Sequence, residues 1–75
     1  MKIIRVVAGA DYLLTVTFDN EHTVTLDMKR KLQTVRFSEL SDWALFASAT
    51  TDGRAVMWPN GTSISTSEIV EILGK

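Results

Sequence analysis

The chain has no cysteine, one histidine and one proline among its 75 residues. Without cysteine it can form neither a disulfide nor a thiolate metal site, and His22 has no second histidine with which to bind zinc. No run of 18 apolar residues occurs, so no membrane-spanning helix is predicted. The eight basic and nine acidic residues nearly cancel, which gives no overall attraction to nucleic acid or to an acidic membrane. These absences predict a protein without a metal or other cofactor.

Catalytic motifs are missing as well. There is no G-x-S-x-G nucleophile motif, and the glycines lie singly rather than in a phosphate-binding loop. A few carboxylates could meet once the chain folds, although solvated surface acids are the simpler interpretation; these are Asp19, Asp27, Asp52 and Glu68. The sequence therefore predicts no catalytic residue and no enzyme activity.

The length allows one domain, residues 1–75. A chain of this size buries only about 60% of the surface that its unfolded form exposes, so its stability is expected to be marginal. Arg5 interrupts the apolar residues at the N-terminus, so no signal-peptide core forms there. A cytoplasmic location is predicted.

Alternating apolar residues in the first half predict an antiparallel sheet. Residues 3–7 are rich in β-branched side chains, and the next two segments alternate with a period of two, with Leu14, Val16 and Phe18 followed by Val24, Leu26 and Met28. Pairing Phe18 with Val24 aligns both apolar sets on one face only if the loop holds an odd number of residues or contains a bulge. We therefore predict a three-stranded meander whose second turn has its tip at residues 20–22.

The second half predicts short elements. Helical spacing occurs over 37–47, where Ser41 can act as a cap and Asp42 suits a first turn, and a hairpin is predicted around Asp52-Gly53. The last helix begins with a capping box, Ser65 and Glu68, and a hydrophobic staple, Ile64 and Ile69; its apolar stripe continues through Ile72 and Leu73 to a cap at Gly74. The predicted class is α+β: an antiparallel three-stranded meander, a short central helix, a second β-hairpin and a C-terminal helix.

Four of the eight basic residues fall within eight positions: Lys29, Arg30, Lys31 and Arg36. Such a cluster can contact phosphate, so nucleic-acid binding through these residues is one possible function. The simpler interpretation is a solvated surface, because the cluster lacks the interleaved aromatic residues on which single-strand binders stack bases.

Trp43 and Trp58 are the largest side chains. The simpler interpretation places both in the core, and the alternative makes them anchors for a partner protein. The turn Trp58-Pro59-Asn60-Gly61 is expected to be structural first, with Trp58 and Asn60 forming a recognition surface in the competing account. A small domain without disulfides gains stability from a partner, and open sheet edges can accept another chain, including a second copy.

A spaced set of residues carries a resemblance to a known family. It comprises Phe18-Asp19-Asn20, Val24-Thr25-Leu26-Asp27, Phe37-Ser38-Glu39-Leu40, Asp42, Phe46, Gly53, Trp58-Pro59-Asn60-Gly61, Ile64 and Ile69. In this set the chain resembles the small bacterial proteins grouped as domain of unknown function 2442. Glu21 stands where that family usually has glycine, and Ser63 where it commonly has aspartate.

The resemblance implies a compact α+β fold with a three-stranded meander and no established enzymatic activity. It also implies a neighbouring partner, because members of such families often occur beside another small protein in arrangements that look like toxin–antitoxin pairs. The sequence thus favours a non-catalytic protein-interaction module, such as the antitoxin-like or accessory member of a two-gene pair. Binding of nucleic acid through the basic cluster is the alternative.

Overall fold

Two small antiparallel sheets and two helices make up the computed structural model, which describes residues 2–73. The first sheet has the order β1-β2-β3, and the second has the order β4-β5-β6. The strands are β1 (Ile3–Gly9), β2 (Leu13–Phe18), β3 (Thr23–Asp27), β4 (Thr50–Thr51), β5 (Ala55–Met57) and β6 (Ser63–Ser65), and the helices are α1 (Trp43–Phe46) and α2 (Thr66–Leu73). The predicted α+β class is confirmed. The predicted cap at Gly74 and the side chain of Leu73 lie outside the described part of the chain.

The hairpin between β2 and β3 has an odd loop, as predicted, but a tighter one. Val16 pairs with Val24 rather than with Leu26, and the Phe18 N–H donates to the His22 carbonyl at 2.8 Å. The loop is therefore residues 19–21, so the predicted register and tip were wrong. A shift of two residues leaves the same side chains facing the core, which is why the alternation was still informative.

The second sheet contains a strand, β6, that the sequence analysis missed. Val56 pairs with Ile64, so the chain after Pro59 returns along β5 before it enters α2. Three residues are too few to show alternation, and Ser65 both ends β6 and caps the helix. The capping box itself is confirmed: the Glu68 N–H donates to Ser65 Oγ at 3.2 Å and the Ser65 N–H to Glu68 Oε1 at 3.4 Å.

The two sheets and both helices share one core. The side chains that alternate along β2, Leu14, Val16 and Phe18, are buried, and so are Ile64 and Ile69 of the predicted staple. The sheets also meet through the backbone, because the Ile3 N–H donates to the Gly53 carbonyl at 2.9 Å. The fold therefore joins two meanders side by side over a single apolar cluster.

The N-cap of α1 is Asp42 and not Ser41. Ser41 ends a 3₁₀ turn, Ser38–Ser41, and Asp42 then takes an extended conformation, with φ −71° and ψ 111°. From there its Oδ1 accepts the backbone N–H of Ala44 at 3.0 Å. An extended residue whose side chain accepts from the first turn is what an N-cap requires.

The loops of the β2–β3 hairpin and the β5–β6 hairpin are built alike, 40 positions apart. The Trp58 N–H donates to the Thr62 carbonyl at 2.9 Å, as Phe18 does to His22, and an asparagine side chain in each loop accepts a backbone N–H two residues on. The residue that closes each loop is left-handed, with φ 70° at Glu21 and 91° at Gly61.

This likeness gives a stability prediction of opposite sign at two equivalent positions. Glycine adopts positive φ without the steric cost, about 1–2 kcal/mol, that other residues meet there, although it adds unfolded-state entropy. Glu21→Gly should therefore raise the free energy of unfolding by about 0.5–1 kcal/mol, and Gly61→Glu should lower it by about 1 kcal/mol. Urea denaturation measures both. Midpoints that shift in the same direction would contradict the account.

Candidate interaction surface

Trp58, a candidate for partner binding, belongs to the core. Its side chain is 3% exposed, and its ring stacks on Phe46 with the centroids 6.4 Å apart. The indole Nε1–H donates to the Phe46 carbonyl at 3.1 Å. The core interpretation of Trp58 is confirmed, and in this conformation the side chain has almost no surface to offer a partner.

Trp43 differs, because 46% of it remains exposed. Its ring nevertheless makes two aromatic contacts, an edge contact with Tyr12 and a tilted contact with Phe46, each with centroids 5.7 Å apart. Tyr12 and Phe46 also meet each other at 5.0 Å. The core interpretation of Trp43 was therefore wrong: the side chain is the outer end of an aromatic series that runs inward to Trp58.

Tyr12 is positioned by an unusual turn between β1 and β2. Asp11 and Tyr12 both have positive φ, 59° and 58°, and the Leu13 N–H donates to the Ala10 carbonyl. Each such residue costs on the order of 1 kcal/mol, so the turn needs support from elsewhere. Tyr12 supplies it through its ring contacts and through its hydroxyl, which donates to the Ser41 carbonyl at 2.5 Å. Sequence analysis missed Tyr12, because nothing in its neighbours signals this conformation.

The charged residues next to these two rings along the chain are both acidic. Asp11 precedes Tyr12 and Asp42 precedes Trp43, and neither carboxylate takes part in an ion pair within the described residues. The segments 6–28 and 37–53 contain no lysine or arginine. We call Tyr12, Trp43 and Ala47, with Asp11 and Asp42 beside them, the Trp43 surface; Ala47 is exposed one helical turn after Trp43.

Asn60, the third candidate for partner binding, lies at the surface but is engaged within the chain. Its Oδ1 accepts the Thr62 N–H at 3.0 Å, and its Nδ2 donates to Glu39 Oε1 at 2.8 Å. These contacts hold the turn closed and connect it to the 3₁₀ turn before α1. These contacts indicate that Asn60 stabilises the turn.

Arg36 forms an ion pair with Glu68 of α2, so its charge is already paired within the chain. Its guanidinium donates to both carboxylate oxygens of Glu68, at 2.6 and 3.0 Å, and to the Ser63 carbonyl. The same group lies 4.8 Å from the centroid of the Phe37 ring. Hydrogen bonds from Arg36 are the main reason that the pKa of Glu68 lies below its ordinary value, and the Glu68 partner raises the pKa of Arg36.

This ion pair predicts a modest loss of stability in acid. Because the pKa of Glu68 is lowered on folding, its contribution is present above the ordinary glutamate pKa, about 4.3, and is lost as the pH falls below that. Both side chains are partly exposed, which limits the effect to about 1 kcal/mol or less. Urea denaturation at pH 7 and pH 3 should show a smaller pH difference for Glu68→Gln than for the parent. An unchanged difference contradicts the prediction, and Glu71→Gln on the same helix serves as control.

Arg30 and Lys31 border a cleft of about 230 Å³ that carries charges of both signs. Its lining consists of Asp27, Arg30, Lys31, Glu71 and Ile72. Lys29 lies 4.0 Å from Asp27 across a solvent-exposed ion pair. The cleft is therefore lined by two carboxylates as well as two cations, and this mixture does not favour phosphate.

The carboxylates singled out in the sequence do not gather into a site. Asp27, Asp52 and Glu68 each accept backbone N–H groups in separate turns or caps. Within residues 2–73 no group of three or more histidine, aspartate or glutamate side chains could hold a metal ion. No helix in that part of the chain has the length and apolar character needed to span a bilayer.

No family model matches the chain, and neither the curated proteins nor the solved structures include a significant match to it. The resemblance to domain of unknown function 2442 therefore stays a prediction.

Proposed function

We propose that this protein is a non-catalytic interaction module that binds another protein through the Trp43 surface. The observation that carries the proposal is the exposure of Trp43, which leaves almost half of a tryptophan side chain in water. Tryptophan is enriched among the few residues that dominate binding energy at protein interfaces. Burying a large apolar ring contributes more binding free energy than burying a small side chain, so a complex that covers Trp43 would be stabilised.

Two features make the ring suited to that part. Its contacts with Tyr12 and Phe46 hold it in place before binding, so little side-chain entropy is lost when a partner arrives. After Asp42 the chain carries no charge over the next nine residues, since residues 43–51 are all uncharged. Depletion of charge at the centre of a contact is typical of interface cores.

The resemblance described above suggests the biological setting. We propose that the partner is the product of a neighbouring gene, with this chain as the antitoxin-like or accessory member of the pair in the cytoplasm. Co-expression of the two products, followed by purification through a tag on one of them, tests this setting separately from the surface itself.

The surface is tested by the variant Trp43→Ala. We expect the parent chain, used as bait in a lysate of its native host, to retain one protein in stoichiometric amount. With that protein purified, Trp43→Ala should weaken its affinity by about 30-fold or more, as loss of a dominant interface residue does. The free energy of unfolding should fall by no more than about 1.5 kcal/mol, because only the two aromatic contacts and part of the burial are lost.

Val70→Ala is the matched control, since Val70 is also a large apolar side chain that is about half exposed, on α2. It should leave binding unchanged. A parent chain that retains no protein, or a Trp43→Ala variant that binds as the parent does, would exclude this function for the Trp43 surface.

A further inference from the structure

We propose that the Trp43 surface receives an arginine side chain from a basic segment of the partner protein. This inference rests on the interaction function proposed above and specifies the chemistry of the partner. The guanidinium would lie against the exposed ring of Trp43, and the carboxylates of Asp11 and Asp42 would offset its charge.

The aromatic ring is the first part of the argument. The face of tryptophan is the best of the aromatic surfaces for a cation, because its quadrupole places negative charge there. Trp43 is the large aromatic residue that combines substantial exposure with fixed ring contacts in the described chain. A buried ring such as Trp58 cannot serve in this way.

The carboxylates are the second part. Asp42 is held beside Trp43 by the hydrogen bond from Ala44, and Asp11 is held beside Tyr12 by the left-handed turn. Tyr12 connects the two segments that carry these residues. Its ring contacts Trp43, and its hydroxyl donates to the carbonyl of Ser41, the residue before Asp42. Two acidic residues without an ion-pair partner in the described chain thus lie next to Trp43 and its ring partner Tyr12.

Arginine fits this arrangement better than lysine does. A guanidinium is planar, stacks on aromatic faces and donates to carboxylates through a fixed fork of N–H groups. The chain already contains such a combination, because Arg36 lies over the ring of Phe37 while it pairs with both oxygens of Glu68. The Trp43 surface offers the same two chemical groups, an aromatic ring and a carboxylate.

The charge distribution also decides between possible partners. In a two-fold dimer that buries this surface, Asp11 and Asp42 would face the same carboxylates of the second copy, which is destabilising. Nucleic acid would be repelled for the same reason. A basic protein segment is attracted, and the attraction is strongest at low salt.

The probe for the test is a capped pentapeptide in which two arginines flank a leucine, compared with the same peptide carrying citrulline, which is neutral and nearly the same shape. The titration is followed by NMR of the indole N–H groups, because Trp43 and Trp58 each give a separate resonance. We expect the arginine peptide to move the Trp43 resonance, and the citrulline peptide to bind about 3- to 10-fold more weakly.

The double variant Asp11→Asn, Asp42→Asn removes the charge while it preserves the fold. Asparagine tolerates positive φ, as position 11 requires, and is an equally good N-cap, as position 42 requires. We expect it to weaken the arginine peptide about 3- to 10-fold. The control removes two charges elsewhere, at Asp19 and Glu71, through Asp19→Asn and Glu71→Gln, and should bind as the parent.

Several outcomes would overturn the inference. They are equal binding of the two peptides, unchanged binding by the Asp11 and Asp42 double variant, no shift of the Trp43 resonance, and a dimer in sedimentation that Trp43→Ala dissolves. If the parent chain captures a protein that Trp43→Ala loses while the arginine peptide does not bind, the arginine chemistry is wrong and the interaction function stands. If neither the lysate nor the peptide gives binding, both fail.

Discussion

Replacing Trp58 with alanine is expected to lower the free energy of unfolding by about 3–5 kcal/mol. The side chain is almost wholly buried and stacks on Phe46. Its removal leaves a large cavity and leaves the Phe46 carbonyl with one donor, the Ala49 N–H at 3.3 Å. A domain of 75 residues has a total stability of about 4–11 kcal/mol, so this single change removes a large share of it.

Trp58→Phe separates the two causes, because it keeps most of the ring and loses only the indole N–H. It should cost about 0.5–1.5 kcal/mol, the net contribution of one hydrogen bond, because the Ala49 N–H still donates to the Phe46 carbonyl. Thermal and urea denaturation of both variants beside the parent chain measure these values. A Trp58→Ala variant that melts at the parent temperature would show that the ring does not support the fold.

Phe46→Ala is expected to lower the free energy of unfolding by a similar amount, about 3–5 kcal/mol. Phe46 is fully buried and its ring contacts those of Tyr12, Trp43 and Trp58. Its loss should therefore also release Trp43 from the position that preorganises it for binding. Denaturation in urea measures the first effect, and the intrinsic fluorescence of the tryptophans under native conditions reports the second.

The control for Phe46 is Ala47→Ser, a neighbouring change on an exposed face of the same segment. Surface substitutions of this kind usually alter stability by no more than about 0.5 kcal/mol. A small loss on Phe46→Ala, comparable with that of the control, would mean that the aromatic series does not hold α1 against the sheets.

The sequence predicted the parts of the fold that are set by local patterns. Alternation identified β2 and β3, because a period of two directly reports which side chains face the core. The capping box at Ser65 and Glu68 predicted the start of α2, because both hydrogen bonds join residues three positions apart. These signals depend on near neighbours, and the structure confirms them.

The parts that failed depend on contacts between distant segments. The register of the β2–β3 hairpin depends on a three-residue loop in which Glu21 adopts a positive φ. Strand β6 forms because it pairs with β5. The exposure of Trp43 was equally hidden. Helical spacing placed it with Phe46, but the four residues of α1 are too few to bury both rings, and Tyr12 reaches the pair from 31 positions away.

The turn at Asn60 and Gly61 bears on how this protein ages chemically. An asparagine followed by glycine is the dipeptide with the least hindrance to succinimide formation, in which the backbone nitrogen of glycine attacks the side-chain carbonyl. Here the Gly61 N–H donates to the Trp58 carbonyl at 3.0 Å, and the Asn60 amide is held on both sides. Ring closure, which releases the side-chain nitrogen as ammonia, therefore requires the hairpin to open. The rate of deamidation should thus follow the fraction of molecules in which this turn is unfolded. The acidic product would stand against the carboxylate of Glu39, and each damaged molecule would close its turn less readily than before.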